Sequence, residues 1–302
     1  MKKLKIGVID IGSNSIKMII ANTEKGLTIE KKLKDYVLLN EKVNNMLTEN
    51  RVNEAITTLT KFAHECQGTD KVIVIATEAV RSAKNQQEFV DKIKQVVGLN
   101  IRVLKGQEEA YYDYFATVNS MSVTDHDLIM DVGGGSTELI LIKNGNIEHS
   151  ISLPFGVVSL TDKFNLHDKE SKEQKSELKA YIDKYFDKLD WIKKAKGHNL
   201  IGIGGSITNI GRIDLKENNK SLELLHTYSI PAEEFKNIYH KLENETDAVR
   251  IKEKGLEKEE VNFVVAAAEI VTILIDSLQI KNIIFSKNRV REGLVYEEMS
   301  SK

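Results

Sequence analysis

The chain contains one short pattern twice. IGVIDIGSNSIKMII, from Ile6, and DLIMDVGGGSTELIL, from Asp127, share D-x-G-x-x-S after an apolar run. In each copy the run ends in an acid, Asp10 or Asp131, and a second apolar run follows, Ile16–Ala21 or Leu139–Ile142. Glycine lacks a Cβ and turns back tightly, so strand–glycine turn–strand is the natural local structure. A further strand-like run follows each hairpin, at 27–33 and at 146–153. A recurring β-meander implies two domains of one design. They are expected at 1–125 and 126–302, with matching turns facing each other across an interdomain cleft.

The second copy, Asp131 to Leu139, carries three glycines, two hydroxyls and a second acid, Glu138. Bare backbone N–H groups in such a turn can wrap a phosphate. Asp131 and Glu138 would then face that phosphate, where carboxylates are repelled unless a cation lies between. The stretch therefore suggests an anion plus a divalent metal; a plain glycine-rich hairpin with a capping serine is the alternative. A third candidate follows the strand 200–203, where Gly204, Gly205 and Ser206 open a helix from Ile207. A helix N-terminus favours anions.

The remaining pattern is α/β. Val52, Ala55, Ile56, Leu59, Phe62 and Ala63 recur at helical spacing. KVIVIA, 71–76, reads as a buried strand, 89–97 as a helix and 101–104 as a short strand. A helix over 107–118 carries Glu108 and Glu109 in its first turn, where N-terminal capping alone would account for both. Helices are expected at 154–164, opened by Pro154-Phe155-Gly156, and at 172–189, 231–243 and 257–278, with a polar loop at 214–224 and a strand at 280–286. The last helix, within 288–302, is expected to pack back on the first domain.

Composition narrows the function classes. With 302 residues, 41% hydrophobic and 29% charged, the chain suits a globular protein of one or two domains. A net charge of -2 means that a polyanion must be held by a local site, not by a basic surface field. The clusters at 31–34 and 193–196 read as solvated faces. No basic patch interleaves with aromatics, so nucleic acid is not an expected partner. The single cysteine, Cys66, excludes an intramolecular disulfide, and the seven histidines show no H-x-x-x-H spacing. The basic start MKKLKIGVID has an apolar run broken by Asp10, so no signal peptide is expected. Val261–Ile280 is the most apolar long segment, but Asn262, Glu269 and Asp276 argue for a buried helix over a membrane span. A cytoplasmic protein is expected, and exposed apolar helix faces leave a homodimer open.

DIGSNS, DVGGGST and GIGGS together resemble the two phosphate loops and third glycine loop of the actin-like (ribonuclease H-like) fold. ATEAVRSAKN from Ala76, GQEEA from Gly106, DVGGGSTEL, LPFGVVSLTDKF from Leu153 and REGLVYE from Arg291 occur in order across nearly the whole chain. This combination is similar to the exopolyphosphatase/guanosine pentaphosphate phosphatase family, in its short two-domain form. The resemblance implies two actin-like domains with mixed sheets flanked by helices.

It also implies a site. Glu109 matches the catalytic glutamate, the base; Asp131 and Glu138 match acids that bind metal and position water; Asp10 would face the metal. Ser13, Asn14, Arg81, Gly133, Gly134 and Ser136 match phosphate-contacting positions, and Gly204, Gly205 and Ser206 the third loop. The implied cofactor is Mg²⁺ or another divalent cation. The implied reaction is hydrolysis of terminal phosphoanhydride bonds of polyphosphate. A guanosine pentaphosphate 5′-phosphatase is the alternative, and a non-catalytic nucleotide- or alarmone-binding regulator is the alternative of another class. The pattern departs at Leu38, where an Arg is usual, at Asn40 and Lys42, which replace glycines, at Ser159, where an Arg is common, and at Glu260 and Asn262, which replace Arg and Asp. These losses bear on substrate choice, since the acids are all present.

Overall fold

Apolar strands joined by tight glycine turns pair antiparallel, whereas strands joined through helices pair parallel. Both kinds of connection occur in each half of the chain. The computed structural model describes residues 3–166 and 168–301. Residues 1, 2 and 302, the extremes of the expected domains and last helix, lie outside the described residues. The chain divides into two compact units, Met1–Asn119 with Val290–Lys302, and Ser120–Arg289.

The first unit contains β1 (Lys5–Ile11), β2 (Ser15–Asn22), β3 (Thr28–Tyr36), a small hairpin of β4 (Lys42–Val43) and β5 (Met46–Leu47), α1 (Glu49–Glu65), β6 (Lys71–Ala76), α2 (Glu78–Arg81), α3 (Gln86–Val97), β7 (Ile101–Val103) and α4 (Gly106–Val118). The second contains β8 (Leu128–Val132), β9 (Thr137–Lys143), β10 (Asn146–Leu153), α5 (Val157–Phe164), α6 (Lys172–Phe186), β11 (Leu200–Ile203), α7 (Gly205–Glu217), β12 (Ser229–Pro231), α8 (Ala232–Glu243), α9 (Asp247–Arg250), α10 (Val264–Leu278) and β13 (Asn282–Phe285). The chain then returns to the first unit as α11 (Val290–Ser300), which packs on α4 and β1.

The sheets have one plan. The first runs β3-β2-β1-β6-β7, and the second β10-β9-β8-β11-β13 with β12 added at the edge. In each, the meander is antiparallel and the next two strands beyond the hairpin's first strand run parallel to it, while the added β12 runs antiparallel to β13. The repeat seen in the sequence is thus a repeat of topology. It extends to the turns: Gly12 N–H donates to Ser15 O at 3.1 Å, and Gly133 N–H to Ser136 O at 3.0 Å.

Alternation along β1 sends Ile9 and Ile11 to one face, with Met18, Phe62 and Phe89, and Ile6 and Val8 to the other, with Tyr112, Leu294 and Val295. Asp10 shares the parity of Ile6 and Val8, so it projects from the face that α4 and α11 cover. In the second unit the core centres on α10, where 12 of 15 residues are buried. Among the described residues no helix is long and apolar enough to cross a membrane, and the apolar run 261–280 is this core helix.

Two segments differ from expectation. Residues 214–217 finish α7, because Asp214 and Leu215 are buried on it, and the polar loop begins after them. The helix expected from 257 starts only at Val264; Lys258–Glu260 form a separate 3-10 turn, for which Gly255 at φ 99° supplies the reversal.

Gly293 lies so close to α4 that an added Cβ would stand 2.9 Å from the Tyr112 carbonyl carbon. Backbone cannot yield there, so Gly293→Ala should cost about 1–3 kcal/mol in denaturant unfolding. Glu170 makes a second expectation. It is buried among Glu269, Lys175 and Arg250, and burial, reinforced by Glu269, pushes its carboxyl up to about 7. The native state therefore keeps a proton that the unfolded chain releases, and stability falls as pH rises from about 4.5 to about 7. Glu170→Gln should flatten that slope and stabilise the chain above pH 7 by on the order of 2–3 kcal/mol. Equal slopes for the two proteins in a pH series would refute it.

Candidate functional site

The groups implied by the sequence fall on the two units. In the first unit, β6 and β7 are parallel neighbours, with Ala76 opposite Val103. The segments that follow, α2 and α4, therefore start at the same sheet edge, the carboxyl ends of parallel strands where α/β ligands bind. This brings Arg81 to Glu109 across 28 residues: the guanidinium Nη1 donates to Glu109 Oε1 and, at 2.7 Å, to Leu104 O. Glu109 is only 6% exposed.

Glu108 and Glu109 part company here. Glu108 accepts from Lys105 N–H at 2.8 Å and pairs with Arg102, and these contacts hold its carboxyl below the usual range. Capping is thus the work of Glu108 alone. Glu109 turns inward to the arginine.

The loop after β3 lies on the first glycine turn. Val37 and Leu38 N–H groups donate to Asn14 O, and Asn40 N–H donates to Ser13 O at 3.0 Å. Leu38 takes φ 54°, a left-handed conformation uncommon for leucine. The segment carries Lys42 to α2, where its ammonium donates to Ser82 Oγ at 2.6 Å. Burial lowers the Lys42 pKa, Glu78 raises it and Arg81 lowers it. Sequence comparison counted Lys42 as a lost glycine. The structure makes it a second cation beside Arg81, a signal that only the fold could supply.

In the second unit, register aligns the acids. Asp131 stands opposite Glu138, and Glu138 opposite Ser152, in one row across β8, β9 and β10. Ser152 Oγ donates to Glu138 Oε1 at 2.7 Å. Both acids are buried, at 7% and 2% exposure. Gly204, at φ 110°, makes room for them: a Cβ there would meet Asp131 Oδ1 at 3.0 Å.

The glycine turn after β8 is seated on α5. Val157 N–H donates to Gly133 O and Val158 N–H to Gly134 O, each at 2.9 Å, which leaves Ser136 buried at the turn's far side. Ser159 Oγ accepts from Gly156 N–H at 2.8 Å and donates back to Gly156 O at 3.0 Å. It caps its own helix, so it offers no substitute for an arginine. Ser206 and Gly205 meet Glu260: Ser206 Oγ donates to Glu260 Oε2 at 2.7 Å.

Among the described residues no three His, Cys, Asp or Glu side chains gather as a metal cage. The Asp131–Glu138 pair is nonetheless a hard-oxygen donor set of the size Mg²⁺ uses when phosphates and water complete its shell. An open cavity of about 460 Å³ between β3 and α1, lined by Tyr36, Glu54 and Thr58 among others, holds none of these side chains.

Residues 7–302 match the Ppx/GppA phosphatase family. The chain belongs to that family. It is 28% identical to a bifunctional 3-dehydroquinate synthase/phosphatase of Fusobacterium nucleatum, over 97% of this chain but 46% of that protein. It is 26% identical to a guanosine-5′-triphosphate,3′-diphosphate pyrophosphatase of Photobacterium profundum, over 97% of this chain and 59% of that one. The chain thus spans about half the length of these two relatives. Among solved structures, an exopolyphosphatase from Cytophaga hutchinsonii superposes with a TM-score of 0.89 at 26% identity, covering 98% of this chain and 97% of that one. The actin-like fold implied by the glycine loops is the fold observed.

Gly156 is where the turn–helix seat is tightest, since its Cβ would lie 2.7 Å from the Gly134 carbonyl carbon. Gly156→Ala should push the turn off α5. Amide exchange at Val157 and Val158 should accelerate by tenfold or more, roughly the effect of losing 1.4 kcal/mol of local protection. Unchanged exchange would mean that the turn is held elsewhere.

Proposed function

We propose that this chain hydrolyses the terminal phosphoanhydride bond of inorganic polyphosphate and releases orthophosphate. The observation that carries the proposal is the separation of the paired glutamates. Glu108 caps α4, while buried Glu109 is kept for chemistry and charge-balanced by Arg81. Family membership supports the same reading.

In the proposed reaction Glu109 orients a water and takes its proton as the water oxygen bonds to the terminal phosphorus. The bridging P–O bond breaks, and the electron pair leaves on the shortened chain. General-base help of this kind contributes about 10²–10⁴ in rate. Arg81 and Lys42, with Ser13 and Asn14 at the first turn, neutralise phosphate oxygens. The backbone N–H groups around Gly133 and Gly134, with Ser136, do the same at the second. Such preorganised charge is usually the largest catalytic contribution. Asp131 and Glu138 are proposed to hold Mg²⁺, which would neutralise phosphate charge when bound. Ser152 fixes Glu138 for that task.

Guanosine pentaphosphate would present the same kind of bond. Polyphosphate is preferred because a solved exopolyphosphatase superposes on this chain with a TM-score of 0.89. The cytoplasm is the proposed compartment, in keeping with a single buried cysteine that forms no disulfide.

The test is phosphate release from tripolyphosphate, long-chain polyphosphate and guanosine pentaphosphate in parallel, with Mg²⁺ and with EDTA. Release from polyphosphate that EDTA abolishes is expected. Release from none of the three would favour the non-catalytic binder. Glu109→Gln should keep the fold and lower kcat by about 10²–10⁴. An unchanged kcat removes Glu109 from the mechanism.

A further inference from the structure

The start of α7 has no acid of its own to offset the positive end of the helix dipole: its first turn contains none, and Gly204 offers no capping side chain. Glu260 fills that place from 54 residues away. Its Oε2 accepts from Ser206 Oγ at 2.7 Å, and its Oε1 would lie 2.9 Å from a Cβ on Gly205. The side chain is 7% exposed. A carboxylate therefore sits where a helix N-terminus would attract a phosphate.

Its position is tied down on both sides. Glu257 N–H donates to Asn209 Oδ1 at 2.9 Å, while Asn209 Nδ2 donates to Gly205 O at 2.9 Å. Arg212 Nε donates to Gly255 O at 2.8 Å. Gly255, at φ 99°, approaches so closely that its Cβ would stand 2.7 Å from the Arg212 carbonyl carbon. Segment 255–260 is thus stapled along α7 itself. A Cβ on Gly204, the neighbour of Gly205, would stand 3.0 Å from Asp131 Oδ1. Glu260 thus stands against Gly205, next to the glycine whose Cβ would crowd Asp131.

We infer that Glu260 is a specificity-determining residue: a built-in anion that occupies the third glycine loop and denies it to a second stretch of polyphosphate. The chain then favours short polyphosphates, which need no third loop, over long ones. Gly204, Gly205 and Ser206, which the sequence pattern offers to phosphate, serve as the seat of this internal acid. The inference rests on the polyphosphate reading above and gives it a length preference.

The experiment measures binding, so it does not depend on turnover. Calorimetry with the full chain carrying Glu109→Gln compares tripolyphosphate with long-chain polyphosphate, in Mg²⁺, with and without a change at Glu260. Glu260→Gln keeps an acceptor for Ser206 and removes the charge. It should shift the affinity ratio toward the long chain by about tenfold, the effect of removing one nearby like charge. Glu260→Asp keeps the charge and should keep the short-chain preference. Glu260→Ala reports the same shift if it folds; Glu260→Gln decides the matter if it does not. Tripolyphosphate binding with an unchanged ratio in Glu260→Gln overturns this inference alone. No binding of either polymer, in any variant, overturns the polyphosphate reading and this inference with it.

Discussion

A single backbone hydrogen bond, from a glycine N–H to the carbonyl three residues on, organises both halves of the molecule. It closes the turn at Gly12 and again at Gly133. In each case a Cβ on the glycine would stand 3.1 Å from the very carbonyl that accepts the bond. The closure makes β1–β2 and β8–β9 tight antiparallel hairpins. It also fixes their register, and register decides which side chains meet. Asp131 opposite Glu138 is a consequence of that closure in the second unit. In the first, the same register sets Asp10 opposite Lys17. One backbone design thus yields an acid–acid pair in one copy and an acid–base pair in the other, and the difference resides in one side chain.

Much of this was legible in the sequence because hairpins and strands are local. The meander, the D-x-G-x-x-S repeat and the helix at Glu109 depend on neighbours within a few residues, and periodicity reports them. What sequence pattern could not reveal depends on contacts between distant segments. Glu108 and Glu109 look alike as first-turn acids until the parallel pairing of β6 and β7 sets Arg81 beside one of them. Lys42 looks like a lost glycine until the loop after β3 folds over Asn14. Ser159 looks like a lost arginine, and it is one, since its hydroxyl is used on Gly156. The start of α10 was misplaced because 257–263 has helical composition, yet ties to Asn209 and Arg212 bend it into a separate turn. The roles proposed for the phosphate and metal groups rest on resemblance and placement together.

The charge distribution follows the same logic. A chain with a net charge of -2 cannot draw in a polyanion by its overall field. Its positive groups near the first glycine turn are set among acids: Arg81 against Glu109, and Lys42 near Glu78. Each cation is partly balanced before any substrate arrives. Under the proposed function, that arrangement would limit affinity and favour discrimination, because phosphate would compete with carboxylates already in place.

The return of α11 to the first unit has a consequence for biosynthesis. The second unit is one continuous stretch, Ser120–Arg289, whereas the first is completed only by residues from Val290 onward. Until these leave the ribosome, Ile6, Val8 and Tyr112 lack Leu294 and Val295 to cover them. The later-made unit can therefore finish folding while the earlier-made one still waits for its last helix, the reverse of the usual N-terminal-first order. During that interval an unfinished apolar sheet face is the surface a chaperone would need to shield.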